Sequence, residues 1–321
     1  MFHFTITKNM SQITNTILMI EPVAFRYNEQ TAVNNYYQKI LDGLTPQIVQ
    51  EKALLEFNQF VEKLKNIGVN VIVIKDTVEP DTPDSIFPNN WVSFHENGYV
   101  GLYPMCAENR RAERRDDILE TLVDDFNLHI EKIVDFTQFE ELDKYLEGTG
   151  SLILDRENKI CYAAISQRTD EQAVFQFCDE FGYKAVCFEA NQTVNNQRLS
   201  IYHTNVMMCV ADKFVIICLD TIDDEKERTN VIQSIQNSAK EIIEISEDQK
   251  HRFAGNMLQV MGDDKAYLVM SDSAFESLND NQIKAIEKYC PIVHSSLDII
   301  ESCGGGSARC MMAEVFLPTK D

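Results

Sequence analysis

A short polar motif returns five times along the chain, and each return leads into an apolar strand. The motifs are Pro88-Asn89-Asn90-Trp91, Glu147-Gly148-Thr149-Gly150-Ser151, His203-Thr204-Asn205, Gly255-Asn256-Met257 and Ser307-Ala308-Arg309-Cys310, opening strands near positions 91, 152, 206, 257 and 311. The step is about 50–60 residues, one supersecondary unit, which is the range of repeat and propeller architectures. Equivalent polar openings can meet on one axis. Two of them deliver a cysteine and a histidine, so the pattern points to one central site.

The units can be followed in detail. In the first, strands 91–94 and 99–103 flank Glu96-Asn97-Gly98, and Asn-Gly is a strong hairpin turn. A helix is expected over 111–126, where Ile118, Leu119, Leu122 and Val123 fall at helical spacing, then a strand over 128–134. The second unit pairs 152–154 with 160–165, followed by a helix over 170–181 and a strand over 184–188. The third pairs 206–210 with 214–219, then a helix over 224–239 and a strand over 241–245. The fourth pairs 257–260 with 266–270, then helical segments 272–277 and 280–289 and a strand 291–293. The fifth is split between the ends. Its first strand is 311–316, and its remainder is strand 16–20, helix 46–67 and strand 69–74. Pairing the two terminal strands would close a ring and leave no open edge. No linker divides the chain, so 1–321 reads as a single α/β domain, with 1–15 a loosely ordered extension. The acidic turn 79–84 reads as an exposed loop.

Composition narrows the function. A net charge of −22 opposes any broad contact with nucleic acid, which needs a basic surface. No run of 18 apolar residues or basic, apolar leader is visible, so neither a membrane span nor a secretory signal is expected. Nine scattered cysteines without a C-x-x-C pair weaken a zinc or dithiol reading and suit a reducing cytoplasm.

The residues that can carry chemistry lie in the motifs. Cys310 follows Gly304-Gly305-Gly306, a loop whose backbone can approach a ligand, and is the candidate nucleophile. His203 is the candidate base, the usual partner of a cysteine at neutral pH. Glu147, beside Gly148 and Gly150, would be costly to bury unless it meets a positive or hydrogen-bonding group. Arg110 or Arg111, and Arg168, have the fork that grips a carboxylate.

In this order the motifs resemble the guanidino-modifying superfamily of arginine deiminases, dimethylarginine dimethylaminohydrolases and amidinotransferases. The resemblance runs over about 17–318. The segment Met19-Ile20-Glu21-Pro22-Val23-Ala24-Phe25, with Asn28 to Asn35, looks most like the citrulline-utilisation hydrolase branch. It implies a five-bladed α/β propeller with pseudo-fivefold symmetry. It also implies that Cys310 attacks a guanidino or ureido carbon, that His203 protonates the leaving amine and then activates water, and that Glu147 holds substrate nitrogens. Arg110 and Arg168 would bind the substrate α-carboxylate, with Asn90, Asn205 and Asn256 also facing the substrate. The expected partner is a small amino acid, no metal or organic cofactor is implied, and a homodimer is left open. Arginine deiminases carry aspartates where Asn90 and Asn205 stand, and relatives often carry an acid or amide where Ser151 stands. Amides suit a neutral ureido group, so citrulline is expected ahead of arginine. The other readings are an arginine deiminase or dimethylargininase-type hydrolase, an amidinotransferase, a binding protein that has lost turnover, and a papain-like Cys/His protease, which shares the side chains but not the fivefold pattern.

Overall fold

The computed structural model describes residues 11–320. Strand β1 (Thr16–Glu21) comes first, and helix α1 (Pro46–Asn66) leads to β2 (Asn70–Lys75). The first full unit is β3 (Val92–Phe94), β4 (Tyr99–Leu102), α2 (Glu108–Arg111), α3 (Asp116–Asp124) and β5 (Lys132–Asp135). A one-turn helix α4 (Gly148–Ser151) opens the second: β6 (Ile153–Asp155), β7 (Ile160–Ile165), α5 (Glu171–Phe181) and β8 (Lys184–Glu189). A separate hairpin, β9 (Asn191–Val194) and β10 (Gln197–Ser200), precedes the third: β11 (Met208–Val210), β12 (Phe214–Ile217), α6 (Glu225–Asn237) and β13 (Glu241–Glu244). Helix α7 (Glu247–His251) leads to the fourth: β14 (Leu258–Met261), β15 (Ala266–Ser271), α8 (Asp272–Ser277), α9 (Asp280–Glu287) and β16 (Ile292–Ser295). The chain closes with α10 (Asp298–Gly304) and β17 (Ala313–Glu314).

These elements make an α/β fold of small sheets. In four of them an antiparallel hairpin is joined through helix to a third strand parallel to its second: β3-β4-β5, β6-β7-β8, β11-β12-β13 and β14-β15-β16. The fifth has the same plan with a break in the chain. C-terminal β17 pairs antiparallel with β1 at Ile17↔Glu314 and Leu18↔Ala313, and β2 runs parallel to β1. Among the described residues no sheet closes on itself.

Local chemistry explains the helices. Asp170 caps the two amides that open α5, and Gly182, at φ 69°, ends it in the left-handed conformation. Asp224 caps α6 likewise, and only Val231 and Ile235, one turn apart, are buried on that helix. Buried apolar side chains form four clusters, and the one holding Phe136, Leu152 and Phe177 spans the first two units. Each such aromatic contributes roughly 2–3 kcal/mol of burial. Among the described residues no helix is long and apolar enough to cross a membrane.

Two expectations need correction. The helix expected over 111–126 is shorter, because α2 ends at Arg111 and the backbone is extended at Arg115 (φ −110°, ψ 118°), so that α3 starts afresh at Asp116. The 79–84 turn is exposed only in part, since Thr82 and Asp84 are buried. The hairpin β9–β10 was not anticipated. The loose extension expected over 1–15 lies partly outside the described residues, but Gln12 is buried. Its amide donates to Leu154 and Val210 carbonyls at 2.9 and 3.2 Å and accepts from Arg156 N at 2.7 Å.

Candidate active site

Each sheet is opened by a single tight turn rather than directly by strand. Pro88–Asn90 and Thr204–Val206 are 3₁₀ turns, Gly148–Ser151 is one α-turn, and Asn256 and Cys310 close turns on Phe253 and Ser307. A turn of this kind aims one side chain away from the strand it precedes. The successive turns are bonded to one another. Thr149 Oγ1 donates to Asn89 O at 3.3 Å, and Thr204 Oγ1 to Ser151 O at 2.5 Å. Asn256 Nδ2 donates to Asn205 O at 3.0 Å, and Arg309 N to Asn256 Oδ1 at 3.0 Å. A Cβ on Gly306 would lie 2.9 Å from the Phe87 ring, which brings the fifth turn back beside the first.

Cys310 is 4% exposed, and two amide donors, Asn205 Nδ2 and Asn256 Nδ2, each reach its Sγ at 3.3 Å. Such donors would solvate negative charge on sulfur. His203 is buried beside Glu147, with Nε2 2.7 Å from Glu147 Oε2. The carboxylate accepts the Nε2 proton in the neutral ring, so Nδ1 is left as the acceptor. Glu147 is fully buried and takes Cys106 N at 3.0 Å on its other oxygen. Burial alone would raise the Glu147 pKa, but Arg168, His203 and Arg110 outweigh it and hold the carboxylate well below its usual range. Burial pushes His203 down to about 4, against the pull of Glu147, so its ring is neutral near pH 7.

Gly150 makes this packing feasible. A Cβ there would lie 2.4 Å from Asn90 Nδ2 and 2.8 Å from His203 Nδ1, closer than any real Cβ comes. Only glycine lets Asn90 and His203 meet across the second turn.

The two arginines already hold protein partners. Arg110 lines the cavity and Arg111 reaches instead toward Met105 O and Glu140. The Arg110 fork is already taken. Nε and Nη2 grip Glu113 at 2.8 and 2.9 Å, and Nη1 donates to Asn90 Oδ1 at 2.9 Å. Its partner lies three residues on and faces the same side of the turn. This bond fixes the Asn90 amide with Oδ1 outward and Nδ2 inward, and Nδ2 has no partner. Arg168 Nη1 lies 3.5 Å from Glu147, while Nε donates to Asn34 Oδ1 at 2.9 Å and Nη2 to Thr31 O at 2.8 Å.

The structure therefore gathers Cys310, His203, Asn90, Arg110 and Arg168 around one cavity, with Glu147 bonded to His203 and Arg168 at its edge. Asn205 and Asn256 reach Cys310 rather than the cavity wall. Asn256 has both amide atoms engaged by protein, whereas Asn205 Oδ1 is unpartnered. Asp84 was missed. It is buried at the cavity, with Oδ2 taking Asn28 and Thr31 at 2.8 and 3.0 Å and Oδ1 without a partner. The cavity holds only about 10 Å³, no more than a water. Residues 22–45, an irregular strap with no helix or strand, lie across it through Thr31 and Asn35.

By sequence, residues 21–317 match the family of eukaryotic N,N dimethylarginine dimethylhydrolases. The chain belongs to this family, whose members are hydrolases of C–N bonds in guanidino amino acids. No curated protein matches it in sequence. Its fold is similar to ArgZ, an arginine dihydrolase of the ornithine–ammonia cycle in Cyanobacteria (TM-score 0.72, 16% identity, 95% of this chain). This chain covers 41% of full-length ArgZ, about two fifths of it. The N-terminal domain of ArgZ with its substrate, in a cysteine-to-serine mutant, gives a TM-score of 0.71 at 17% identity, over 94% of this chain and 97% of that one. A dimethylarginine dimethylaminohydrolase carrying an S-methyl-L-thiocitrulline adduct gives 0.60 at 14%, over 94% and 99%.

Proposed function

We propose that this chain hydrolyses a ureido amino acid, citrulline first, through a covalent bond to Cys310. The observation that carries the substrate preference is the charge around the sulfur. The one carboxylate beside His203, Glu147, is already matched by Arg168 and Arg110. The groups next to Cys310 are amides. A guanidinium would meet no unmatched anion directly beside the sulfur, the open oxygen of Asp84 being reserved in this reading for the α-ammonium, whereas a neutral urea bound to Cys310 finds a donor in Asn90 Nδ2 and an acceptor in Asn205 Oδ1.

The chemistry follows from these positions. Cys310 Sγ attacks the ureido carbon as its proton passes to His203 Nδ1. One C–N bond then breaks, and the departing nitrogen takes that proton. Water, activated by the same nitrogen, attacks the carbamoyl carbon, the C–S bond breaks, and the thiol regains its proton. The carbamate released loses carbon dioxide, so citrulline and water give ornithine, ammonia and carbon dioxide whichever C–N bond breaks first. Glu147 holds the His203 tautomer. Arg168 would take the substrate α-carboxylate on exchanging its strap partners, and the open oxygen of Asp84 suits the α-ammonium. The Arg110 fork is full, so its part is to orient Asn90. Transfer to an amine instead of water would require an acceptor to enter the same space.

We also infer that the five sheets stand as blades about one axis, in one catalytic domain along the chain. The support is the run of bonds from each opening turn to the next. The deciding measurement is ammonia release from citrulline and from arginine by wild type and Cys310→Ala. Citrulline turnover that vanishes in Cys310→Ala supports the reading. Arginine consumed faster than citrulline would overturn the substrate preference, and ammonia unchanged in Cys310→Ala would overturn the mechanism.

A further inference from the structure

Lys250, on α7, is a fully buried ammonium with no part in the chemistry above. Its three hydrogens have three neutral acceptors: Gln192 Oε1 at 2.6 Å, Tyr37 Oη at 3.0 Å and His251 Nδ1 at 3.4 Å. Burial pulls it down to about 8, against the pull of Glu247 and Cys218. Each of its neighbours comes from a different region. Tyr37 belongs to the strap. Gln192, itself fully buried, belongs to β9–β10, the hairpin outside the repeating plan of the sheets. That hairpin is fastened to α7, because Arg198 grips Glu247 at 2.8 Å and Asp223 at 2.6 Å, and Thr193 N donates to Glu247. Hairpin and α7 thus form one arm, and the strap docks on it.

The docked tyrosine is close to the chemistry. Its ring lies 4.9 Å from Phe253 and meets the edge of Tyr202 at 6.3 Å. The Tyr202 ring lies tilted against that of His203, with centroids 4.8 Å apart, and its hydroxyl donates to Gly305 O at 2.6 Å, in the glycine loop before Cys310. On the same stretch Asn35 and Gln38 donate to Gly304 O at 3.3 and 2.9 Å. The strap closes a cavity that cannot admit an amino acid, so it must lift for each turnover.

We propose that Tyr37 and Lys250 form the latch of this strap, with the β9–β10 hairpin as its fixed arm, and that both are positioning residues for closure over Cys310. In the closed form the Tyr37 hydroxyl supplies one of the few acceptors available to a buried ammonium. Deleting that hydroxyl alone leaves the ammonium short of an acceptor only while the strap is shut. An open strap lets water replace the lost bond, so the balance shifts toward open. Deleting the ammonium as well removes the unmatched donor, and the shut form recovers.

The inference rests on Cys310 as the centre of the site, and its test needs no substrate. The probe is iodoacetamide, with carboxamidomethylation at Cys310 followed by mass spectrometry in the full chain. Tyr37→Phe is expected to react roughly tenfold faster than wild type, the usual consequence of one buried charge left unmatched. Lys250→Met/Tyr37→Phe is expected to fall back toward the wild-type rate. Matching melting temperatures for Tyr37→Phe and wild type separate strap opening from unfolding, and a raised KM at unchanged kcat accompanies it. Tyr37→Phe reacting at the wild-type rate would overturn the latch, as would a double variant no slower than Tyr37→Phe. Wild type that ignores citrulline while the alkylation pattern holds would sink the substrate and leave the latch standing.

Discussion

The two sides of this cavity are built in opposite ways. On one side Cys310, His203, Glu147 and Asn90 stand on turns that open successive sheets, and neighbouring turns are bonded to each other. On the other, Thr31, Asn34 and Asn35 stand on 24 residues without helix or strand, held by side-chain bonds to Arg168, Asp84 and the glycine loop. The first side can fix atoms to a fraction of an ångström, because moving one turn means breaking bonds to the next. The second side can let go, because each of its contacts is replaceable by substrate or water. A covalent mechanism needs both. The nucleophile and base must be preorganised, and the amino acid must still get in. Disturbing the sheet-borne side should therefore lower kcat, and disturbing the strap should change KM and leave kcat nearly constant.

The largest effect should come from Gly150→Ala. The new methyl would sit 2.4 Å from Asn90 Nδ2 and 2.8 Å from His203 Nδ1, so one of them must move by about an ångström. Misplacement of that size costs on the order of a hundredfold in kcat. Turnover at the wild-type level, with a normal melting curve, would show that the turns yield far more than their bonding suggests. Asn90→Asp should come next. It adds a further carboxylate near Glu147 and replaces the inward donor with an acceptor. Loss of citrulline kcat/KM by about tenfold or more is expected, with arginine losing less. Steady-state kinetics on both substrates test it, and an equal loss on both would detach Asn90 from the choice of substrate.

Titration gives an intermediate effect. His203 in the fold ionises near 4, below its ordinary value of 6.5, because burial disfavours the imidazolium. The unfolded chain therefore binds the extra proton first. His203 favours the fold fully above pH 6.5, and this contribution is lost as pH falls from 6.5 through 4. Glu113, which burial raises to about 7 against the pull of Arg110, runs the other way, its contribution being lost as pH rises through 7. Two measurements follow. The acidic limb of kcat/KM should fall near pH 4 to 5 rather than 6.5. The melting temperature of wild type should also drop more steeply than that of His203→Asn between pH 6.5 and 4. An acidic limb at 6.5 would mean the ring is hydrated in solution and the strap stands open.

The same contrast explains what could be read from the chain before its structure. The repeating sheets were legible because each is local: a polar motif, an Asn-Gly or similar turn, and a helical stripe lie within one unit. Cys310, His203 and Glu147 followed from their places in that pattern. Asp84 did not, because its burial depends on Asn28 and Thr31, more than fifty residues away on an irregular strap that no periodicity announces. Glu113 carried a signal that went unused. It lies three residues after Arg110, the spacing at which side chains meet on a helical turn. The hairpin β9–β10 carried one too, in Asn195-Asn196. Both adopt positive φ, 49° and 62°, as its two-residue turn requires. What stayed illegible is the strap's docking on Lys250, which joins three segments by side chains alone.

The smallest expected effect is also the most direct probe of the strap. Asn34 Oδ1 accepts from Arg168 Nε and Nη2, and its Nδ2 donates to Gln167 at 2.7 Å. Asn34→Ala removes these bonds but touches neither Cys310 nor His203. Arg168 keeps Glu147 and Thr31 O, so the guanidinium stays in place with its plane less firmly set. A half-buried bond of this kind is worth about 1 kcal/mol, and because the substrate carboxylate has to displace it from Arg168, its loss gives roughly a fivefold fall in KM. The kcat should hold within about twofold, because the turns that carry the reacting atoms are bonded to one another and not to Asn34. A fall in kcat as deep as that of Gly150→Ala would erase the distinction between the two sides. The strap would then set reacting geometry as tightly as the sheets do, and Arg168, which touches both Asn34 and Glu147, would be the residue that transmits it.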